Sequence, residues 1–387
     1  MNKTLLVTID FPPMIGGVAN YWANLNKCLP KEELVILAPE YDNSHSFDIR
    51  QNYLIYRKNL ISKKKWLWPR WLPLFYSMYR LIKMEGIKTI IAGQVLPVGT
   101  AAYLLSKIMR VNYVVSTHGM DIKIQKPGSR RHWLIKRIIK NADHVITNSR
   151  YTMREVVRLG GKPEQISVIY PCPNIEDSSI DPALRDDIVK EYELAGKKIL
   201  LTVGRLVERK GHDRVIQSLT SLVEHFPNII YLIIGRGPNL NNLKQLVDRL
   251  RLQQNVLFFD RVDDDELRIF YDLADVFIMT SRELSCGDVE GFGIVYLEAN
   301  GFKKPVIAGR TGGAVEAVEH GVNGLLVDPD DFECISQAIA KLMADTRLAK
   351  KLGENGFARN KRSFCWPMQA RKLQDILSSK SNWTTST

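Results

Sequence analysis

Glu290 and Glu298 stand in an E-x7-E spacing inside the stretch TSRELSCGDVEGFGIVYLEANG, residues 280–301. Between them, Gly291-Phe292-Gly293 opens an apolar run that passes into a helical pattern, and the strand-like segment 274–279 leads in. A glycine-rich turn feeding a helix start leaves backbone N–H groups without intrahelical partners, which makes it a cradle for phosphate. A carboxylate just before that cradle and another one turn into the helix can accept hydroxyl hydrogen bonds on either side of a diphosphate. The pattern points to a nucleotide-sugar site.

Other places offer chemistry of the same kind. The first apolar run ends in Asp10-Phe-Pro-Pro-Met-Ile-Gly16-Gly17, where two glycines before a helix start let a ligand approach backbone N–H groups; a plain tight turn is the alternative. His118, in Ser116-Thr-His118-Gly119-Met-Asp121, stands at a strand's carboxyl end and can bond a sugar hydroxyl or phosphate, or simply its own backbone. Arg205 and Lys210, in Gly204-Arg205-Leu-Val-Glu-Arg-Lys210-Gly211, can neutralise a departing diphosphate; surface ion pairing is the plainer reading. Gly235-Arg-Gly237-Pro-Asn-Leu240, with Asp260 further on, half-matches a dinucleotide fingerprint. Leu240 stands where its third glycine belongs and the motif sits mid-chain, so a turn near a nucleotide suits it better. Asp263-Asp264-Asp265 could attract a hard cation, but directly before Glu266-Leu-Arg-Ile-Phe-Tyr they more simply cap a helix.

These groups must be carried by regular elements. Apolar, β-branched runs at 4–9, 34–38, 88–92, 112–116, 144–147 and 166–169 alternate with helical patterns, which predicts a parallel sheet covered on both faces. The segment PCPNIEDSSIDP after Tyr170 reads as a linker. A second alternation follows, with strands at 198–203, 229–234, 255–259, 275–279, 305–307 and 324–327. The fold class is therefore α/β, with two doubly wound parallel-sheet domains facing across a cleft where ligands would lie beyond the strand ends. A polar tail, 378–387, is expected to fray.

Bulk properties narrow the classes further. A chain of 387 residues exceeds one ordinary core, and 45% hydrophobic with 25% charged residues suits a soluble globular protein. Five scattered cysteines without a C-x-x-C pair argue against zinc and disulfides and suit a reducing cytoplasm. MNKTLLVTID reads as a first strand in place of a signal peptide, and no run is apolar enough to span a bilayer. The net charge of +12 is uneven: up to Ile175 there are 26 basic and 11 acidic residues, and beyond it 28 and 31. Segment 63–83, with three tryptophans and a basic rim, and the basic amphipathic stretch 130–140 fit docking on an anionic membrane, or else are core helices with solvated lysines. Nucleic acid is disfavoured, since no recognition module accompanies the charge.

Taken together, these residues resemble the GT4 family of retaining glycosyltransferases with the GT-B fold, over nearly the whole chain. The strongest mark is Glu290-Gly-Phe-Gly-Ile-Val-Tyr-Leu-Glu298, supported by Pro12-Pro13 through Gly16-Gly17 and by Val203-Gly-Arg205 through Lys210-Gly211. Gly312-Gly-Ala-Val-Glu316, Gly321-Val-Asn-Gly-Leu-Leu-Val327 and the ending Phe364-Cys-Trp366 before a last helix also match. The resemblance implies a Rossmann-like acceptor domain at 1–172, a Rossmann-like donor domain at 173–364, and a terminal helix and tail at 365–387 that cross back to the first domain. It implies that Arg205 and Lys210 grip the diphosphate with Gly16, Gly17 and the amides of Gly293, Ile294 and Val295. Glu290 would hold sugar hydroxyls, Glu298 the ribose, and His118 the sugar, with Gly235 and Val262 completing the donor-binding set. Catalysis would rest on Glu290, His118, Arg205 and Lys210, with no metal and no cofactor beyond the donor itself. The family retains anomeric configuration, through front-face attack with the leaving phosphate taking the acceptor proton.

The stretch 287–298 is especially similar to the phosphatidylinositol mannosyltransferase-like branch, which implies mannose from GDP-mannose. The first-half match is looser and leaves the acceptor as a lipid-linked or membrane-proximal glycan, on a cytoplasmic protein peripheral to the inner membrane face. The same fold and reaction with a UDP-sugar (glucose, N-acetylglucosamine or galactose) is the alternative. From other classes stand an NAD(P)-dependent oxidoreductase and a non-catalytic basic adaptor.

Overall fold

A computed structural model describes residues 3–14, 16–64, 67–123, 128–174 and 180–379. The chain divides into two units, Cys172–Phe364 and a first unit made of the residues up to Pro171 together with those from Cys365 onward. Among the described residues the first unit holds a parallel sheet of strands β1 (Thr4–Val7), β2 (Leu34–Pro39), β3 (Leu54–Lys58), β4 (Thr89–Ala92), β5 (Asn112–Thr117), β6 (His144–Thr147) and β7 (Ile166–Val168). Their order is β3-β2-β1-β4-β5-β6-β7. The second unit's parallel sheet contains β8 (Lys198–Val203), β9 (Ile229–Ile234), β10 (Val256–Phe259), β11 (Val276–Met279), β12 (Val306–Gly309) and β13 (Gly324–Val327), ordered β10-β9-β8-β11-β12-β13.

Both orders reverse direction beside the first strand of their sheet, between β1 and β4 and between β8 and β11. In doubly wound sheets such switch points open a crevice at the carboxyl strand ends, where ligands bind. Helices cover both faces, so the central strands are apolar throughout; β1, β9 and β11 are buried at every position.

β3 has no counterpart among the strands expected from sequence. As an edge strand it is only half-buried at Ile55, Tyr56 and Arg57 and exposed at both ends, so its sequence, LIYRK, carries no apolar run. Asp263, expected to cap, does so: it forms a reciprocal capping box with Glu266 at the head of helix Asp264–Leu273. Of the tail 378–387 expected to fray, Ser378 and Ser379 instead close the last helix, and 380–387 lie outside the described residues.

The last helix, Trp366–Ser379, completes the first unit's core. Ala370, Leu373, Ile376 and Leu377 are buried together with Trp22, Leu25 and Ile36, while Gln369 Oε1 accepts from the Tyr170 amide at 3.1 Å. Truncating a buried leucine removes its transfer energy and leaves a cavity, at about 2–5 kcal/mol. Leu373→Ala should therefore lower first-unit stability by about that amount, read by denaturant titration with hydrogen exchange. Protection of β8 to β13 should stay unchanged.

Candidate functional site

At the switch point of the second sheet, β8 ends at Val203 and β11 at Met279, and their loops carry the charged residues. The loop after β8 contains a single 3-10 turn, Glu208–Lys210, that buries Arg209 and Lys210 side by side. The loop after β11 runs to Glu290, also buried. Lys210 Nζ donates to Glu290 Oε2 at 2.5 Å and Arg209 Nη1 to the same oxygen at 2.7 Å. Arg209 Nε lies 3.2 Å from Asp288 Oδ1. Burial alone would raise the Glu290 carboxyl, but Lys210 and Arg209 more than reverse it, holding it at about 2. Burial pushes the Lys210 ammonium down, against the pull of Glu290.

Backbone closes over this group from a third loop. The Gly313 amide donates to the Glu290 carbonyl at 2.9 Å, and a Cβ on Gly313 would come within 2.0 Å of the Gly291 carbonyl oxygen. Arg205, by contrast, is exposed, and its guanidinium makes no hydrogen bond or ion pair with the described residues, while its carbonyl accepts from the Val207 amide at 2.9 Å. The helix Ile294–Gly301 starts at Gly293 without a side-chain cap or first-turn carboxylate, so the Ile294 and Val295 amides stand at an uncapped, electropositive end. Glu298 lies in that helix, half-buried; its carboxyl is raised by burial. The ionised Glu290 carboxylate and this uncapped helix start thus stand four residues apart in one stretch.

Two expected donor residues lie apart from this cluster. A Cβ on Gly235 would meet the Gly204 carbonyl oxygen at 2.0 Å, at φ 146°, so this glycine lets the loop after β9 pack on the loop after β8. Val262 lines a cavity of about 490 Å³ beyond β10 with Tyr192, Arg236, Phe259 and Asp260.

The first unit gathers its own polar group at the β1–β4 switch point. Gln94, just past β4, accepts from the Ile9 amide at 3.2 Å and donates to Thr8 Oγ1 and Asp10 Oδ2, each at 3.0 Å. The neighbouring Gly93 carbonyl accepts from His118 Nε2 at 3.2 Å, so the neutral ring carries its proton there and Nδ1 faces no described partner. Burial pushes the His118 imidazolium down, against Asp121 and the Gly93 bond, so the ring is neutral near pH 7. Asp121 Oδ1 fixes the loop by accepting from the His118 amide at 3.0 Å. Gly16 and Gly17 start the helix Gly17–Lys27, and a Cβ on either would meet nothing within 4 Å, so protein packing does not demand glycine there. Arg57 of β3 holds the approach to them, donating to the Pro12 carbonyl at 2.6 Å and pairing with Asp48 at 2.7 Å.

The sequence of the whole chain has relatives that fit this geometry. Residues 15–177 match the Glycosyltransferase Family 4 profile and residues 185–359 the Glycosyl transferases group 1 profile. A GDP-mannose-dependent alpha-(1-6)-phosphatidylinositol monomannoside mannosyltransferase of Mycolicibacterium smegmatis is 32% identical over 384 residues, 97% of this chain and 98% of that protein. The chain belongs to glycosyltransferase family 4. A GDP-mannose-dependent monoacylated alpha-(1-6)-phosphatidylinositol monomannoside mannosyltransferase of Corynebacterium glutamicum is 28% identical, covering 98% of each chain. The crystal structure of Anabaena HepE in complex with UDP superposes with a TM-score of 0.80 at 22% identity, covering 97% of this chain and 100% of that one, which shows the GT-B fold. The protein is thus a hexosyltransferase of the GT-B type.

Arg209, Gln94 and Arg57 escaped the sequence reading of this glycosyltransferase. Arg209 adjoins Lys210, and neighbours in an extended loop would point to opposite sides; only the 3-10 turn brings both inward. Gln94 and Arg57 act through pairings with residues far away in sequence, which spacing does not reveal.

Beneath the Arg205 loop, His212 is buried with Nε2 3.4 Å from the Arg205 carbonyl oxygen. Burial, assisted by Lys210, pulls its imidazolium down to about 4. The unfolded chain binds this proton near pH 6.5 and the folded chain only near 4, so stability falls as pH drops through that window, by about 3 kcal/mol in all. Glu290 extends the same direction of loss further into acid. Second-unit melting temperature should therefore decline from pH 6.5 to 4, and His212→Asn should flatten that decline, as scanning calorimetry across pH would record.

Proposed function

We propose that this glycosyltransferase is a retaining, metal-independent mannosyltransferase that moves mannose from GDP-mannose to a lipid-linked or membrane-proximal glycan. The observation that carries the reading is the contrast between Arg205 and its neighbours. Lys210 and Arg209 are committed to Glu290, whereas the Arg205 guanidinium, close enough to Lys210 to act on its charge, is exposed without a side-chain partner among the described residues, and the helix Ile294–Gly301 starts uncapped. A cation and free amides prearranged for an anion stabilise charge that develops on a leaving diphosphate. The named donor of the M. smegmatis and C. glutamicum relatives supports GDP-mannose.

Glu290 is assigned to holding sugar hydroxyls. A carboxylate kept at about 2 by two cations is a poor nucleophile and a poor base. In the proposed reaction the C1–O bond to the diphosphate breaks, the acceptor oxygen attacks the same face, and the leaving phosphate oxygen takes the acceptor proton. Arg205 and the Ile294 and Val295 amides bind the diphosphate, Lys210 adds its positive charge there while holding Glu290, Glu298 binds the ribose, and Gly235 and Val262 flank the nucleoside. Gly16, Gly17 and His118 serve from the first unit. Incubation with GDP-mannose should raise the melting temperature and release GDP, and Arg205→Ala should slow release by about 10²–10³-fold. Stabilisation by UDP-sugars alone would move the donor to uridine, and no stabilisation by any nucleotide sugar would defeat the reading.

For the acceptor side we infer contact with an anionic membrane surface. Among the described residues no helix is long and apolar enough to cross a membrane. The helices Leu72–Glu85, Thr100–Met109 and Arg130–Asn141 bury one face each in the first unit's core, through residues such as Met78, Leu105 and Ile138. Their outward faces still carry Tyr76, Ile108 and Trp133, and Trp68 just before them is 84% exposed. Arg80, Lys83, Lys107 and Arg137 lie over aromatic rings there. Aromatic anchors within a basic field suit an anionic bilayer interface. Trp66, the third tryptophan of the segment, is outside the described residues. Co-sedimentation with anionic liposomes should drop about tenfold for Trp68→Ala/Trp133→Ala. Binding indifferent to those changes and to lipid charge would rule this surface out.

A further inference from the structure

Glu298 is not alone in its pocket. Tyr271, on helix Asp264–Leu273, is buried and donates its hydroxyl to Glu298 Oε2 at 2.9 Å. The phenol ring stacks on Phe302, with centroids 5.3 Å apart and planes 9° from parallel, and on Phe277 at 6.0 Å. A ring held on two sides cannot swing its hydroxyl elsewhere without disturbing the core. Glu298 Oε1 has no hydrogen-bond partner among the described residues. Side chains on a helix lean toward its N-terminus, so the Glu298 carboxylate reaches back toward the uncapped first turn at Ile294 and Val295.

We propose that Tyr271 is a positioning residue for the donor: its hydroxyl holds one oxygen of Glu298 so that the other faces the ribose hydroxyls of a nucleoside diphosphate. The proposal rests on Glu298 being the ribose-binding carboxylate. Ribose diols are recognised by an ionised carboxylate that accepts from both hydroxyls, and a neutral carboxyl does this poorly. Burial works against that ionised form, whereas the Tyr271 hydrogen bond and the Lys210 charge favour it. Tyr271 and Lys210 are the titratable groups that bear on Glu298, from helix Asp264–Leu273 and from the turn Glu208–Lys210. Burial raises the Tyr271 phenol well above its ordinary range, with Glu298 adding to the effect, so it remains a donor throughout any working pH.

The test needs neither the acceptor nor the identity of the sugar, because ribose is common to every nucleoside diphosphate. Calorimetric titration of the full-length protein with GDP, UDP and the 2′-deoxy and 3′-deoxy forms of each would be run from pH 6 to 8.5. Wild type, Tyr271→Phe and Glu298→Gln would be compared, with circular dichroism confirming that both variants are folded. Tyr271→Phe keeps the stacked ring and removes only the hydroxyl. It should weaken binding of the better ribonucleotide by about tenfold, with the loss greater toward the acid end of the range, where the carboxyl is more readily protonated. It should also shrink the penalty for deleting a ribose hydroxyl. Glu298→Gln should bind weakly at every pH. If Glu298→Gln loses affinity while Tyr271→Phe keeps the wild-type pH profile and deoxy penalty, Tyr271 only fills the core and the proposal is overturned. If Glu298→Gln and the deoxy nucleotides all bind like their parents, the ribose reading fails and takes the proposal with it.

Discussion

The second domain depends on a buried carboxylate that two cations keep ionised. An isolated carboxylate in that position would lose several kcal/mol of hydration, so Glu290 is tenable only because Lys210 and Arg209 share its Oε2 at 2.5 and 2.7 Å. With Asp288 beside Arg209, the group roughly cancels its own charge. Its members come from the loops after β8 and β11, so the pairing also ties the two strands that flank the switch point. The glycines after β12 then lay backbone directly over Glu290 and Gly291. What remains unbalanced is Arg205 and the open end of one helix. The interior is neutralised first, and the leftover positive charge is placed where a ligand can reach it.

The first domain uses hydrogen bonds where the second uses charge. Gly93 and Gln94 form a two-residue mount at the end of β4: the carbonyl of one holds the His118 ring and the side chain of the other holds Asp10 and the β1 loop. The His118 ring is thereby oriented while it stays neutral.

How much of this could be read from the sequence follows from the range of each signal. The α/β class was legible, because strands buried on both faces are continuous apolar runs and their spacing by helices is local. β3 was hidden because an edge strand needs no apolar run. The E-x7-E spacing was legible for a similar reason: turn, helix start and both carboxylates lie within one short stretch. Arg209 was unreadable, since its inward direction is decided by a 3-10 turn. Tyr271 looked like one more apolar position on an amphipathic helix, and only the approach of Glu298, 27 residues later, gives its hydroxyl a task. Gly235 was readable as a special glycine, but its packing role depends on how closely Gly204 passes.

The return of the last helix to the first domain has a consequence for how the chain is made. Domains emerging from a ribosome ordinarily complete themselves in the order of their sequence. Here Leu373 and its neighbours are needed to close the core around Trp22, yet they are synthesised only after the whole of the second domain. The second domain, continuous from Cys172 to Phe364, has all its parts available earlier. Of these two, the half that begins first is therefore completed after the other, and until the helix Trp366–Ser379 has been made, the core face that it covers stays bare on the nascent chain.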